Sequence, residues 1–249
     1  LRATKGAQLR LKTYVRRNFA ILSLEIIMAR YQQQRKSKGS QAAIQDWANN
    51  RKERLNSEIQ TKAGLSEGIV WLSPLEADQY AEYGDEDFID ALELTGSLIV
   101  PLAEFWPPRG PQWDGLALAG RTRILVEAKS NLPELVSSPS QASDNSIQMI
   151  QSSLNRTKQY LGVQEEKKWT ADYYQYTNRM AHLFFLRILN KVDARLVFLY
   201  FLNDETVSGP KSTSEWETAI AEMYKELGLQ MENPLSPFIH NVYIDLKPT

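Results

Sequence analysis

Along the first 35 residues, Leu11, Val15, Phe19, Leu22 and Ile26 recur at spacings of three and four, the stripe of an amphipathic helix. Arg10, Lys12, Arg16 and Arg17 fall largely off that stripe. A basic, glycine-containing break follows from Arg35 to Ser40, and Ser40 is suited to cap a second helix running to about Lys62. Ile44, Trp47, Ala48, Leu55 and Ile59 line one side of that helix, and Gly64 stands past its end. Phe88, Ile89, Leu92 and Leu94 predict a short helix ending near Gly96. Three strands are expected next, over 97–104, 112–119 and 122–129. Trp106-Pro-Pro-Arg-Gly-Pro111 fills the first gap and Gly120-Arg121 makes a tight turn in the second. A Ser/Pro-rich loop then leads to helices over 146–161 and 171–190. The apolar run 195–202 reads as a buried strand. Ser214-Glu-Trp-Glu217 predicts a capping box for a helix ending before Gly228, and 238–246 a last strand. The order of elements is mixed α/β.

Composition narrows the chemistry more than the fold. The chain has 249 residues, 43% apolar and 24% charged, as in an ordinary globular protein with room for a substantial core. With no cysteine, disulfides, zinc–thiolate sites, iron–sulfur clusters and thiol nucleophiles are excluded. The two histidines, His182 and His240, lie too far apart in sequence for a histidine-rich metal site. The formal charge of −1 is a cancellation: residues 1–62 carry 14 Lys and Arg against 4 acids, and residues 63–249 carry 15 against 26. This divides the chain into a basic helical N-terminal arm, 1–62, and an acidic domain, 63–249. Charge alone fits a polyanion-facing arm and two solvated basic helix faces equally well. The longest early apolar run, 20–28, contains Glu25 and falls short of the roughly 20 residues a membrane span needs. No targeting segment is visible, and a cytoplasmic location is expected.

The informative stretch is Pro111-Gln-Trp-Asp-Gly-Leu-Ala-Leu-Ala-Gly-Arg-Thr-Arg-Ile-Leu-Val-Glu-Ala-Lys129. With Gly120 and Arg121 as the two turn residues, Asp114 falls directly opposite Glu127, their Cβ atoms about 5 Å apart. Leu125, Glu127 and Lys129 share one strand face, while Ile124, Val126 and Ala128 share the other. Two facing carboxylates repel unless a cation bridges them. Hard oxygen ligands favour Mg²⁺ or Mn²⁺. Lys129 beside them could orient an attacking water or offset charge building on the phosphorane. In outline this is a site for metal-assisted phosphodiester hydrolysis.

An acid at the start of one strand and Glu-x-Lys on the next, here Asp114 and Glu127-Ala128-Lys129, resembles the PD-(D/E)xK nuclease superfamily, the restriction-endonuclease-like fold. The resemblance covers roughly residues 86–202. It implies an αβββαβ core with a central mixed sheet, in which 195–202 is the fourth strand. It further implies that Asp114, Glu127 and the carbonyl of Ala128 hold Mg²⁺ or Mn²⁺ and that Lys129 assists catalysis. The partner would be nucleic acid, with DNA expected. Trp113 stands where the family has proline, and Pro111 lies two positions earlier. Two other acid-x-Lys triplets, Glu165-Glu-Lys167 and Asp245-Leu-Lys247, have no acid set opposite them by a short hairpin.

Several further residues are candidates for the same site. Many members of the fold carry another acid from the preceding helix; Asp87, Asp90 and Glu93 lie where that helix is expected, Glu104 ends the first expected strand, and spacing does not decide among them. Gln148, Gln151, Asn155 and Lys158 line one helix face, and resemblance to exonuclease-type relatives singles out Gln148 or Gln151. Gln175, Asn178, Arg179 and His182 form a polar stripe fit for phosphate binding, for exposure or for hydrogen bonding within the core. Trp106 and Trp113 flank the Pro-Pro-Arg-Gly-Pro loop beside the proposed site and could stack on bases. No Walker phosphate loop, nucleophile elbow, dinucleotide fingerprint or metalloprotease helix is present. The alternative function is a catalytically inactive module of this fold that binds nucleic acid or protein. Its basic arm would then dock on an acidic partner such as residues 76–93 of a second copy, which leaves a homodimer open.

Overall fold

The computed structural model describes residues 30–247. At its centre is a five-stranded mixed sheet in the order β2-β4-β5-β6-β7: Ile69–Ser73, Gly115–Ala119, Thr122–Lys129, Ala194–Leu202 and Ile239–Asp245. β4 runs antiparallel to both β2 and β5, whereas β5, β6 and β7 are mutually parallel. β6 is apolar almost throughout because helices cover both faces of the sheet. A second sheet consists of β1 (Arg30–Tyr31) and β3 (Glu82–Tyr83), paired antiparallel.

Two helices, α1 (Gly39–Asn50) and α2 (Lys52–Ala63), cover one face of the main sheet. Ile44, Trp47, Ala48, Leu55 and Ile59 pack there against Ala117, Ile124, Val126, Val197 and Leu199. The described part of the basic segment is therefore a layer of the domain, not an appended arm. The opposite face carries α3 (Asp85–Ala91), α4 (Asp144–Leu161), α5 (Tyr174–Phe184) and α6 (Thr213–Leu227) over a larger core with Leu116, Leu125, Leu196, Phe198 and Tyr200. Among the described residues no helix is long and apolar enough to cross a membrane.

The hairpin forms as its sequence dictates. Ala119 pairs with Thr122 and Gly115 with Val126, and Gly120 takes the positive φ of 54° asked of the first residue in a primed turn. Other expectations need correction. Most of the first expected helix, 1–29, lies outside the described residues, and Arg30–Tyr31 is strand. The second expected helix is two, broken at Arg51, and Gly39 rather than Ser40 opens it. The cap comes from far away, since Gly39 N–H donates to Thr206 Oγ1 at 3.0 Å.

Residues 97–104 are not a strand. Pro101 cannot donate to a ladder, Ile99 is exposed, and Val100 N–H donates instead to the Asn190 side chain. The strand beside the hairpin is β2, which precedes α3 in the chain. The helix expected over 171–190 ends at Phe184 and continues as a π-helical turn, Phe185–Leu189. The capping box of α6 is built from Ser212 and Glu215.

Candidate active site

The β4–β5 ladder stops at Gly115–Val126, because Trp113 turns away to pair with Tyr83, its N–H donating to Tyr83 O at 3.0 Å. Asp114 takes over at that point: its Oδ2 accepts the N–H of Ala128 at 2.8 Å. One side chain thus continues the pairing that the backbone gives up, and its carboxyl is pinned beside Glu127. Glu127 and Lys129 lie on the sheet face covered by α5, level with Phe198 and Tyr200 of β6. Lys129 Nζ donates to Glu127 Oε1 and, at 2.8 Å, to Gln175 Oε1. Arg179 Nε donates to Glu127 Oε2 at 2.6 Å, and Nη2 to the carbonyl of Gln112 at 2.6 Å. Its guanidinium also lies 4.6 Å from the centre of the Trp113 ring.

Charge in this cluster is unevenly supported. Glu127 is 1% exposed, and burial pushes its pKa up, but Arg179 and Lys129 outweigh that and hold it below the usual carboxylate range. Asp114 keeps part of its surface open to solvent. Its carboxyl is nonetheless pushed up to about 8, first by burial and then by Glu127, against the pull of Lys129 and the Ala128 N–H. Two neighbouring carboxyls driven in opposite directions are the arrangement from which acid and base roles are drawn.

Glu82 adds a third acid, one that sequence reasoning passed over. It is buried on β3, accepts from Gln41 Nε2 at 2.8 Å and Gln33 Nε2 at 3.3 Å, and contributes to the upward push on Asp114. Burial raises the pKa of Glu82 as well, and Glu127 adds to that rise. Its only sequence signal was membership in the acidic run 76–93. The acids singled out beforehand do not join the cluster: Asp90, Glu93 and Glu104 are exposed, and Asp87 is half-buried on α3.

The polar stripe on α5 splits in two. Gln175 and Arg179 belong to the site. His182 sits among Phe88, Phe105, Trp106 and Trp113, paired through Nδ1 with Asn178 O at 2.8 Å, and burial lowers it to about 3. It is a neutral core residue. Gln148, Gln151, Asn155 and Lys158 line a separate groove of about 750 Å³ on α4 and form no hydrogen bond to Asp114, Glu127 or Lys129. Trp106 and Trp113 are buried, so neither offers a face on which a base could stack.

Among the described residues no three His, Asp or Glu side chains converge as a ready-made metal cage. The donor set still suits a hard cation that keeps most of its waters. Among the described residues Asp114 has no ion-pair partner, and Glu127 and Ala128 are adjacent on β5. Nearby, the buried hydroxyls of Ser130 and Tyr200 and the indole N–H of Trp113 have no hydrogen-bond partner among the described residues. The chain matches no family model, no curated protein and no solved structure.

Proposed function

We propose that this protein is a metal-dependent nuclease that hydrolyses phosphodiester bonds, with DNA the expected substrate. The observation that carries this reading is the hairpin register, which sets Asp114 against the Ala128 N–H and beside Glu127, with Lys129 on the same face. The order α2-β2-β4-β5, then α4 and α5, then β6 is offered as the αβββαβ core of a restriction-endonuclease-like fold, with β2 as its first strand.

In this reading Asp114, Glu127 and the carbonyl of Ala128 would hold Mg²⁺ or Mn²⁺, which when bound supplies a lowered water pKa and a Lewis acid for phosphate oxygen. Lys129 would neutralise charge developing on the phosphoryl oxygens, Gln175 would hold the ammonium in place, and Arg179 would keep Glu127 ionised. Exposed basic residues would hold backbone phosphates and make binding sensitive to salt.

Purified protein is expected to cut single-stranded, duplex or branched DNA, or RNA, with Mg²⁺ and not with EDTA. Lys129→Ala should lower the rate at least about a hundredfold, the usual range for a positioned charge at a transition state. Equal behaviour of wild type and Lys129→Ala on every substrate would sink the catalytic reading. A second reading, an inactive module of the same fold, draws support from Glu127, whose two oxygens are already taken by Lys129 and Arg179. Calorimetry with Mn²⁺ separates the two, since the inactive module binds none.

A further inference from the structure

Glu127 and Lys129 are two residues apart on β5, which separates them by about 6.6 Å along a strand. Gln175 and Arg179 are four apart on α5, about 6.0 Å along a helix. The two intervals nearly match, and the contacts run in opposite directions, Gln175 to Lys129 and Arg179 to Glu127. A Gln-x-x-x-Arg face on the helix is thus the geometric complement of Glu-x-Lys on the strand. Arg179 does more than pair a charge. Its Nη2 grips the carbonyl of Gln112, two residues before Asp114, and its Nη1 donates to Asn178 Oδ1 at 3.0 Å. Arg179 is 2% exposed, and its guanidinium packs over the Trp113 ring. It ties the strand that carries Glu127 to the segment that delivers Asp114.

We infer that Arg179 is a positioning residue that sets the Asp114–Glu127 geometry for a divalent cation, with Gln175 doing the same for Lys129; this rests on the nuclease reading above. The competing role is that of a plain countercharge for a buried Glu127. The two roles predict opposite signs. A countercharge repels a cation, so removing it should tighten cation binding. A positioning group orients the carboxylates, so removing it should loosen binding. Lysine cannot substitute for the fork that reaches Glu127 and Gln112 together.

The test is calorimetric titration of Mn²⁺ into the full chain and its Arg179→Met and Arg179→Lys variants, with thermal unfolding run alongside to confirm folding. Both variants should bind Mn²⁺ about tenfold more weakly, the usual cost of losing a group that orients a metal ligand. Affinity equal to or tighter than wild type in Arg179→Met overturns the inference. So does a wild type that binds no Mn²⁺. Gln175, at the start of α5 and partly exposed, offers a variant that should fold even if the Arg179 variants do not. Gln175→Ala should lower kcat about tenfold with KM and Mn²⁺ affinity unchanged; an unchanged kcat overturns the inference too. If the wild type binds Mn²⁺ but cuts nothing, the nuclease reading fails while the Mn²⁺ contrast still decides the role of Arg179.

Discussion

The two ends of β5 carry the same ionic composition in different surroundings. At its start, Asp193 is held by Arg187 at 2.8 Å and Arg195 at 2.5 Å, and accepts from Thr122 Oγ1 at 2.7 Å. At its end, Glu127 is held by Lys129 and Arg179. Each cluster is one carboxylate between two cations. The Asp193 side chain is 47% exposed and that of Glu127 1%. Exposed ion pairs contribute about 0–1 kcal/mol, since water screens them and competes for both partners. Buried ones carry a desolvation cost of several kcal/mol per ion, and apolar residues would often serve stability as well or better. The first cluster fastens the start of β5 to the turn that leads into β6. The second demands a reason to be there, and the extra carboxyl of Asp114, which the Asp193 cluster lacks, supplies one.

The largest expected effect breaks this contrast at its buried end. Glu127→Ala leaves Lys129 and Arg179 without their acid and should cost about 3–5 kcal/mol in denaturant unfolding. A loss under 1 kcal/mol would mean that the cluster is open to water after all.

The next prediction concerns the surplus acid. Folding holds the Asp114 proton more tightly than the unfolded chain does, from an ordinary 3.8 up to about 8. The stabilisation this gives is complete below the ordinary range and is lost as pH rises through about 8. Asp114→Asn removes the titration, so in metal-free buffer it should be more stable than wild type by about 2 kcal/mol near pH 8. That figure is well below the full shift, because Asp114 retains contact with solvent. The gap should close near pH 4, and parallel stability curves across this window would contradict the assignment.

At the exposed end, Asp193→Asn should cost about 1 kcal/mol or less, a difference that high salt should erase. A larger, salt-resistant loss would place the two clusters in one class.

How far the sequence alone reached follows the distance over which each contact acts. The Gly120-Arg121 turn and the strict alternation of β5 determined the register, so Asp114, Glu127 and Lys129 could be brought together within one hairpin. The apolar run of β6 likewise declared itself, because a strand covered on both faces has no polar side to show. Arg179 lies 52 residues from Glu127, and only the packing of α5 on the sheet brings them into contact. Its place in a polar stripe was legible, but whether that stripe met water or a carboxylate was not.

Glu82 looked like any other member of an acidic run until β3 and Gln41 enclosed it. Residues 97–104 are apolar enough for a strand, yet Pro101 has no N–H to give a ladder and the Val100 N–H goes to Asn190 instead. Trp106 and Trp113 offered aromatic surface that the fold spends on enclosing His182. The sequence by itself determined the hairpin, its register and the three residues at its mouth, since turn chemistry and side-chain alternation act over a few residues. Only the tertiary structure decided which charges are buried, because burial depends on segments far along the chain that close over them.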